Sequence, residues 1–138
     1  MTEKISSLPL PICKAILICD QVEIDQVTGG INLWNVFGAI PFPSFPGHTS
    51  GFDVFLILTE GEGKQNVWIE VNNLQDGQLL DKLPPRVITF QGRTQLLFVK
   101  LTCPLIRLPS PGLYDLVVFC DSGEIDRLKI SAFVRPAG

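Results

Sequence analysis

His48 is the only histidine of the chain, and it stands beside Gly47 in a proline-rich stretch. With Ser44 or Ser50 as a nucleophile and a carboxylate as third group, it could form a Ser-His-acid set for acyl transfer. Ser50 is followed by Gly51, but no G-x-S-x-G elbow surrounds it. We therefore interpret His48 as a loop residue and predict no catalytic residue, which makes a hydrolase the least favoured function.

Acidic residues gather near the ends of several predicted strands, where converging carboxylates can bind Ca²⁺. The D-x-D-x-D-G pattern of a calcium loop is absent, whereas Asp beside Gly or Ser stabilises turns through its side chain. The carboxylate pairs Glu60/Glu62 and Glu124/Asp126 share one strand face and do not face each other across a cleft, as glycoside hydrolysis requires. We predict no metal site and no cofactor. The acidic residues concerned are Asp20, Glu23, Asp25, Asp53, Asp76, Asp121, Glu124 and Asp126.

The cysteines Cys13, Cys19, Cys103 and Cys120 lie within or beside apolar runs, and no two of them form a C-x-x-C motif. The first residues lack the layout of a signal peptide, and no apolar run is long enough to span a bilayer. We therefore expect a cytoplasmic protein with free, buried thiols rather than disulfides. One histidine and scattered cysteines give no zinc-ligand spacing.

The charged residues exclude two classes of partner. Eleven Lys and Arg residues are spread thinly, and the formal net charge is -3. Nucleic acid and anionic membranes both attract a basic stripe, which the sequence lacks, so we predict no nucleic-acid partner and no membrane insertion. The hydrophobic fraction of 46% instead indicates that both sheet faces are covered or that apolar surface meets a partner.

Three aromatic residues are the candidates for an interaction surface. Apolar residues alternate with Trp68 over 67–71, so Trp68 faces outward if its neighbours face the core. An outward Trp can anchor an interface or carry a sugar, and it can equally lie under a loop or the N-terminal arm. Phe42 and Phe45 stand between prolines in Pro41–Pro46, either docking on a partner or tucking over the sandwich edge.

The elements that must position these residues are strands. The sequence has only four alanines but eleven prolines and twelve glycines, a composition that disfavours helices. Turn signals lie at Thr28–Gly30, Gly61–Gly63, Asp76-Gly77 and Asp121–Glu124, and each predicts a hairpin. Proline-rich crossovers between the sheets are predicted at 41–46 and 104–111. The predicted strands are Cys13–Ile24, Ile31–Ile40, Gly51–Glu60, Asn66–Leu74, Gln78–Leu83, Arg86–Gln91, Thr94–Cys103, Gly112–Cys120 and Ile125–Val134.

Two segments carry a family resemblance, ILICDQVEID…GGINLWNVFGAI with FPSFPG, and LPSPGLYDLVVFCDSGEIDRLKISAFV. Together they resemble an uncharacterised bacterial family known only as a domain of unknown function. The resemblance covers nearly the whole chain and implies a β-sandwich without an assigned activity or functional residues. In Pro111-Gly112-Leu113-Tyr114, proline and glycine set a bend, and we expect the Tyr114 ring to pack inward with its hydroxyl at the rim.

The sequence thus predicts one all-β domain over 1–138, with 1–11 as a flexible N-terminal arm. We expect an antiparallel β-sandwich of about eight to nine strands, Greek-key or immunoglobulin-like. Its expected function is non-enzymatic, a protein-interaction or assembly module whose partner is another protein or a second copy. The alternative is a small-ligand or carbohydrate-binding module that uses Trp68 with Asn72 and Asn73.

Overall fold

The computed structural model describes residues 8–136, and the regular structure within them consists of strands alone. The prediction of an all-β fold is therefore confirmed. The strands are β1 (Ile12–Ile24), β2 (Ile31–Val36), β3 (Ala39–Phe42), β4 (Gly47–His48), β5 (Phe52–Thr59), β6 (Gly63–Asn73), β7 (Leu79–Lys82), β8 (Arg86–Phe90), β9 (Leu97–Cys103), β10 (Arg107–Leu108), β11 (Gly112–Cys120) and β12 (Gly123–Val134).

Two main sheets form the sandwich. Sheet A has the strand order β2-β1-β5-β9, and sheet B has the order β3-β12-β11-β6, with β7 and β8 both paired to β6. The short β4 and β10 pair with each other. All of these pairings are antiparallel except that of β3 with β12. The chain passes between sheet A and sheet B several times, and the largely antiparallel two-sheet arrangement agrees with the predicted sandwich.

The core lies between the two sheets and follows the period of two of the strands. Val67, Ile69 and Val71 of β6 are buried, while the residues between them are half-buried on the outer face. In β11 the buried Tyr114 exchanges hydrogen bonds with Ser110, since its hydroxyl donates to the Ser110 carbonyl and accepts from the Ser110 N–H. This is a tyrosine corner, and it confirms that the ring packs inward with its hydroxyl bound at the rim.

Two predictions miss a point at which the chain changes from one sheet to the other. The predicted strand Ile31–Ile40 is two strands, because the chain passes from sheet A to sheet B at Phe37 and Gly38. Gly61–Gly63 is not a hairpin, since β5 and β6 belong to different sheets. The two predicted crossovers are confirmed, since the segment 41–46 leads from β3 of sheet B toward β5 of sheet A, and 104–111 leads from β9 of sheet A to β11 of sheet B. The short strands β4 and β10 lie along these crossovers and pair with each other.

The predicted flexible arm falls partly outside the described residues, which begin at residue 8. In the described part, the Leu8 carbonyl accepts a hydrogen bond of 3.0 Å from the Ser122 hydroxyl. Pro11 is buried. Within the described residues, the hydrogen bond from Ser122 places Leu8 beside the β11–β12 turn, and the flexibility of the arm stays a prediction.

Candidate functional site

Trp68 lies on the outer face of sheet B, the side that the alternation of β6 predicts. Its ring stacks on Phe119 of β11, with centroids 5.7 Å apart, and the Lys82 ammonium of β7 lies 5.4 Å from its centroid. Because β11 and β7 flank β6 on opposite sides, the two partners approach the indole from both directions. The indole N–H donates to Glu70 at 3.0 Å. Trp68 is therefore part of a side-chain cluster on the outer face of sheet B, with Phe119 and Lys82 beside its ring.

The two phenylalanines of the proline-rich segment pack together rather than project. Their ring centroids lie 4.9 Å apart, and Phe42 is buried while Phe45 is half-buried. A Cβ at Gly47 would lie only 2.7 Å from the Phe42 ring, so this glycine makes room for it. Of the two alternatives for this segment, Phe42 adopts the second, because its ring tucks into the core at the sandwich edge.

His48 is exposed on β4, where its backbone pairs with Arg107. Within residues 8–136, no serine hydroxyl or carboxylate hydrogen-bonds to its imidazole. The geometry required for a Ser-His-acid set is therefore not assembled around it.

Most acidic residues hold turns or neighbouring strands. Asp25 accepts the N–H groups of Val27 and Thr28, and these hydrogen bonds lower the pKa of its carboxyl below the ordinary value. Asp76 accepts the N–H of Gln78 in the β6–β7 turn. Asp121 accepts the Asn66 N–H on β6, which joins two strands rather than closing its own turn. The described residues contain no group of three His, Cys, Asp or Glu side chains suited to hold a metal ion.

One carboxylate has a role that the sequence does not reveal. Asp53 is buried on the outer face of sheet A, where Oδ2 accepts the Val22 N–H at 2.8 Å and Oδ1 accepts the Thr102 hydroxyl at 3.0 Å. Val22 also packs with Cys19 and Phe55 in a second apolar cluster, separate from the main core. These contacts fix the segment 20–36, hereafter the hairpin arm, against the outer face of sheet A.

The hairpin arm carries exposed apolar side chains. Trp34 is 55% exposed, and Val36 is 51% exposed. Ile24 and Val27 are also exposed at the arm's tip. Both faces of β2 carry apolar residues in sequence, Ile31 and Leu33 on one face and Trp34 and Val36 on the other, and that pattern is the signal from which an exposed surface could have been inferred. Trp34 is therefore an interface candidate rather than a core residue.

The β2 edge of sheet A differs from the other open edges of the two main sheets. Pro41 interrupts the hydrogen bonding of β3, and Pro84 and Pro85 separate β7 from β8. On β9, the Arg86 guanidinium donates to the Lys100 carbonyl and so covers part of that edge. Prolines, short strands and charges of this kind prevent unwanted strand pairing.

The thiols are free in the described structure, as predicted. Cys19, Cys103 and Cys120 are buried, and Cys13 is half-buried. Burial, with a smaller contribution from Asp53, raises the pKa of Cys103 to about 12. Burial also raises the pKa of Cys13 to about 11. A protonated thiol is a poor nucleophile and metal ligand, so a raised pKa disfavours both roles for these two cysteines at neutral pH.

Comparisons with known proteins give a family but no activity. The model of a family described as a family of unknown function (DUF6941) matches residues 14–133. The curated proteins include no match. Among solved structures, a β-glucosidase from Listeria innocua in complex with isofagomine is similar, with a TM-score of 0.49 and 8% identity. The similarity covers 90% of this chain but only 17% of that enzyme's chain, and it carries no inference. No helix in residues 8–136 is long and apolar enough to cross a membrane.

Proposed function

We propose that this chain, which belongs to the DUF6941 family of unknown function, is a non-enzymatic protein-interaction domain whose partner binds at the edge of β2. The observation that supports this most directly is the composition of that edge. Ile31–Val36 contains no charged residue and no proline, and it is an outer strand of sheet A. An open strand without such protection is a template for pairing with another chain.

The backbone pattern of β2 supports strand addition. The hydrogen bond that begins the β1–β2 ladder runs from the Asp25 N–H to the Gly30 carbonyl. Hydrogen-bonded and non-bonded pairs alternate along an antiparallel ladder, so Asn32 and Trp34 direct their backbone groups toward β1. The residues between them, including Leu33, direct theirs toward the open edge. A second strand can therefore pair with β2 without disturbing β1.

The side chains beside this edge favour a protein partner. Trp34 and Val36 are exposed apolar groups at the place where an added strand would lie, and buried Trp residues are among the strongest anchors of interfaces. A carbohydrate module built on Trp68 is less well supported, because Phe119 and Lys82 flank that ring. The free thiols are compatible with a reducing compartment, and we propose a cytoplasmic location.

Photocrosslinking combined with light scattering tests the proposal. Benzoylphenylalanine replaces Trp34 in one variant and Leu79, an equally exposed residue on β7 of the other sheet, in the control. We expect crosslinked products at position 34 in producing cells and far fewer at position 79. If the partner is a second copy, the purified chain alone gives the same crosslinked product. The average mass measured by light scattering then rises with protein concentration.

A companion variant tests strand pairing directly. Asn32→Lys places a charge on the edge strand without removing an apolar contact, and we expect it to reduce crosslinking at position 34. The matched control is Asn72→Lys on β6, which lies inside sheet B. A monomer at every concentration, with no product at position 34 above the level at position 79, would contradict the proposed function.

A further inference from the structure

A cavity of about 180 Å³ opens where β2 leaves sheet A and β3 enters sheet B. Its walls come from the hairpin arm, the start of β3 and the segment that precedes β5. At roughly 30 Å³ for each molecule in the liquid, this volume corresponds to about six waters. The cavity thus has room for a small organic molecule or for one long side chain of another protein.

The walls of the cavity divide into an apolar part and a polar part. Phe37 and Phe52 both line it and meet edge to face, with ring centroids 6.1 Å apart. Asn35, Thr49 and Ser50 supply amide and hydroxyl groups. Binding sites for small molecules combine apolar walls with a few placed polar groups in this manner.

Asp20 is the only charged residue among those that line the cavity. Its Oδ2 accepts the side-chain amide of Asn35 at 2.8 Å, which orients the carboxylate. No Lys or Arg occurs anywhere from residue 15 to residue 63, and among the described residues Asp20 forms no ion pair. A carboxylate at a partly apolar cavity with no cation of its own attracts a positively charged ligand.

Asn35 presents its amide to the carboxylate through its backbone conformation. Its φ is 54°, in the left-handed region that asparagine adopts more readily than most other non-glycine residues. This conformation carries the amide to Asp20 just before the chain changes sheet.

From these observations we propose that the cavity binds an organic cation, an ammonium group on an apolar body. The ammonium pairs with the Asp20 carboxylate, and the apolar body lies against Phe37 and Phe52. Two sources can supply this chemistry, a free amine or the lysine side chain of a bound protein. The proposal does not depend on strand addition at β2, so each can fail without the other.

Titration with small probes, followed by ¹⁵N-resolved NMR, tests the proposal. The probes are phenethylammonium, its neutral counterpart 2-phenylethanol, and N-acetyl-lysine methylamide as the side-chain form. We expect saturable shifts in the Asn35 side-chain amide and the Thr49 and Ser50 backbone amides with the cations. We expect 2-phenylethanol to bind three- to tenfold more weakly, because it cannot form the charge-assisted hydrogen bond. Tighter binding of phenethylammonium than of the lysine derivative identifies a free amine as the source, and the reverse identifies a side chain.

Charge-neutral variants distinguish binding at the cavity from a general attraction of cations to the acidic residues of the hairpin arm. Asp20→Asn keeps an acceptor for the Asn35 amide but removes the charge, and it should abolish the preference for cations. Glu23→Gln is the matched control, since Glu23 lies on the same strand but does not line the cavity. The proposal is overturned if neither cation produces saturable shifts in the wild type, if 2-phenylethanol binds as tightly as phenethylammonium, or if Glu23→Gln has the same effect as Asp20→Asn.

Discussion

Asp53 fixes the hairpin arm to sheet A, and its replacement should loosen the arm more than the rest of the fold. The carboxylate accepts two hydrogen bonds, one from the Val22 N–H and one from the Thr102 hydroxyl. In Asp53→Asn, the amide oxygen can accept one of them, and the NH₂ group faces the other donor. Because a hydrogen bond to a charged group contributes about 1.5–3 kcal/mol, we expect a loss of about 2 kcal/mol.

Two measurements separate the local effect from the global one. Urea unfolding gives the free energy of unfolding, and native-state hydrogen exchange gives the opening of the arm. If the whole loss appears as arm opening, the amides of Asn32 and Trp34, which bond to β1, should exchange about 30-fold faster, since 1.4 kcal/mol is tenfold. The exchange rates of the β11 and β6 amides in sheet B should change only as much as the global free energy of unfolding changes.

The control is Asp25→Asn, an exposed carboxylate on the same arm that binds only local turn amides. It should change the exchange of the β1–β2 turn without releasing the arm. The reasoning is refuted if Asp53→Asn leaves the exchange of the Asn32 and Trp34 amides unchanged, or if Asp25→Asn accelerates it to the same extent.

Three further predictions concern stability. Tyr114→Phe removes the buried hydroxyl that binds Ser110 and should cost about 1–3 kcal/mol in urea unfolding; a loss below about 0.5 kcal/mol would contradict the tyrosine corner. Gly61→Ala should cost about 1–3 kcal/mol because its Cβ would lie 2.4 Å from the Phe90 ring, whereas Gly38→Ala, which meets nothing within 4 Å, should stay within about 0.5 kcal/mol. The Cys103 thiol should make stability fall as pH rises from about 9 to about 12, because the unfolded thiol ionises near pH 9 and the native one near pH 12. The slope of unfolding free energy against pH should be shallower in Cys103→Ala, and equal slopes would contradict the raised pKa.

The sequence predicts the strands well because their signals are local. The alternation in β6 correctly assigns Val67 to the core and Trp68 to the outer face, and Gly77 adopts the positive φ of 72° that its hairpin turn requires. The sheet to which a strand belongs is not a local property. Gly61–Gly63 has the composition of a hairpin turn, yet it connects the two sheets, because pairing depends on residues far away along the chain.

The burial of Phe42 depended on a similar non-local cause. The ring is accommodated by the absence of a side chain at Gly47 and by Phe45, after the chain has turned through the proline-rich segment. A proline-rich segment with two aromatic residues has the same composition whether it projects or folds back. Only the three-dimensional path of the chain decides between these interpretations.

The residues with reactive or charged groups mostly build the sandwich, whereas the candidate surface consists largely of residues without such groups. Asp53 illustrates the division, since it is a conspicuous carboxylate whose partner Val22 lies 31 positions away in the chain. Its hydrogen bond from the Val22 N–H holds the hairpin arm, the one from Thr102 of β9 orients the carboxylate, and Trp34 stays exposed on the arm. Exposing a large apolar side chain on an unprotected edge increases the risk of aggregation. A fixed arm limits that risk because it presents the edge in one conformation, so that pairing requires a partner of matching shape rather than any extended chain.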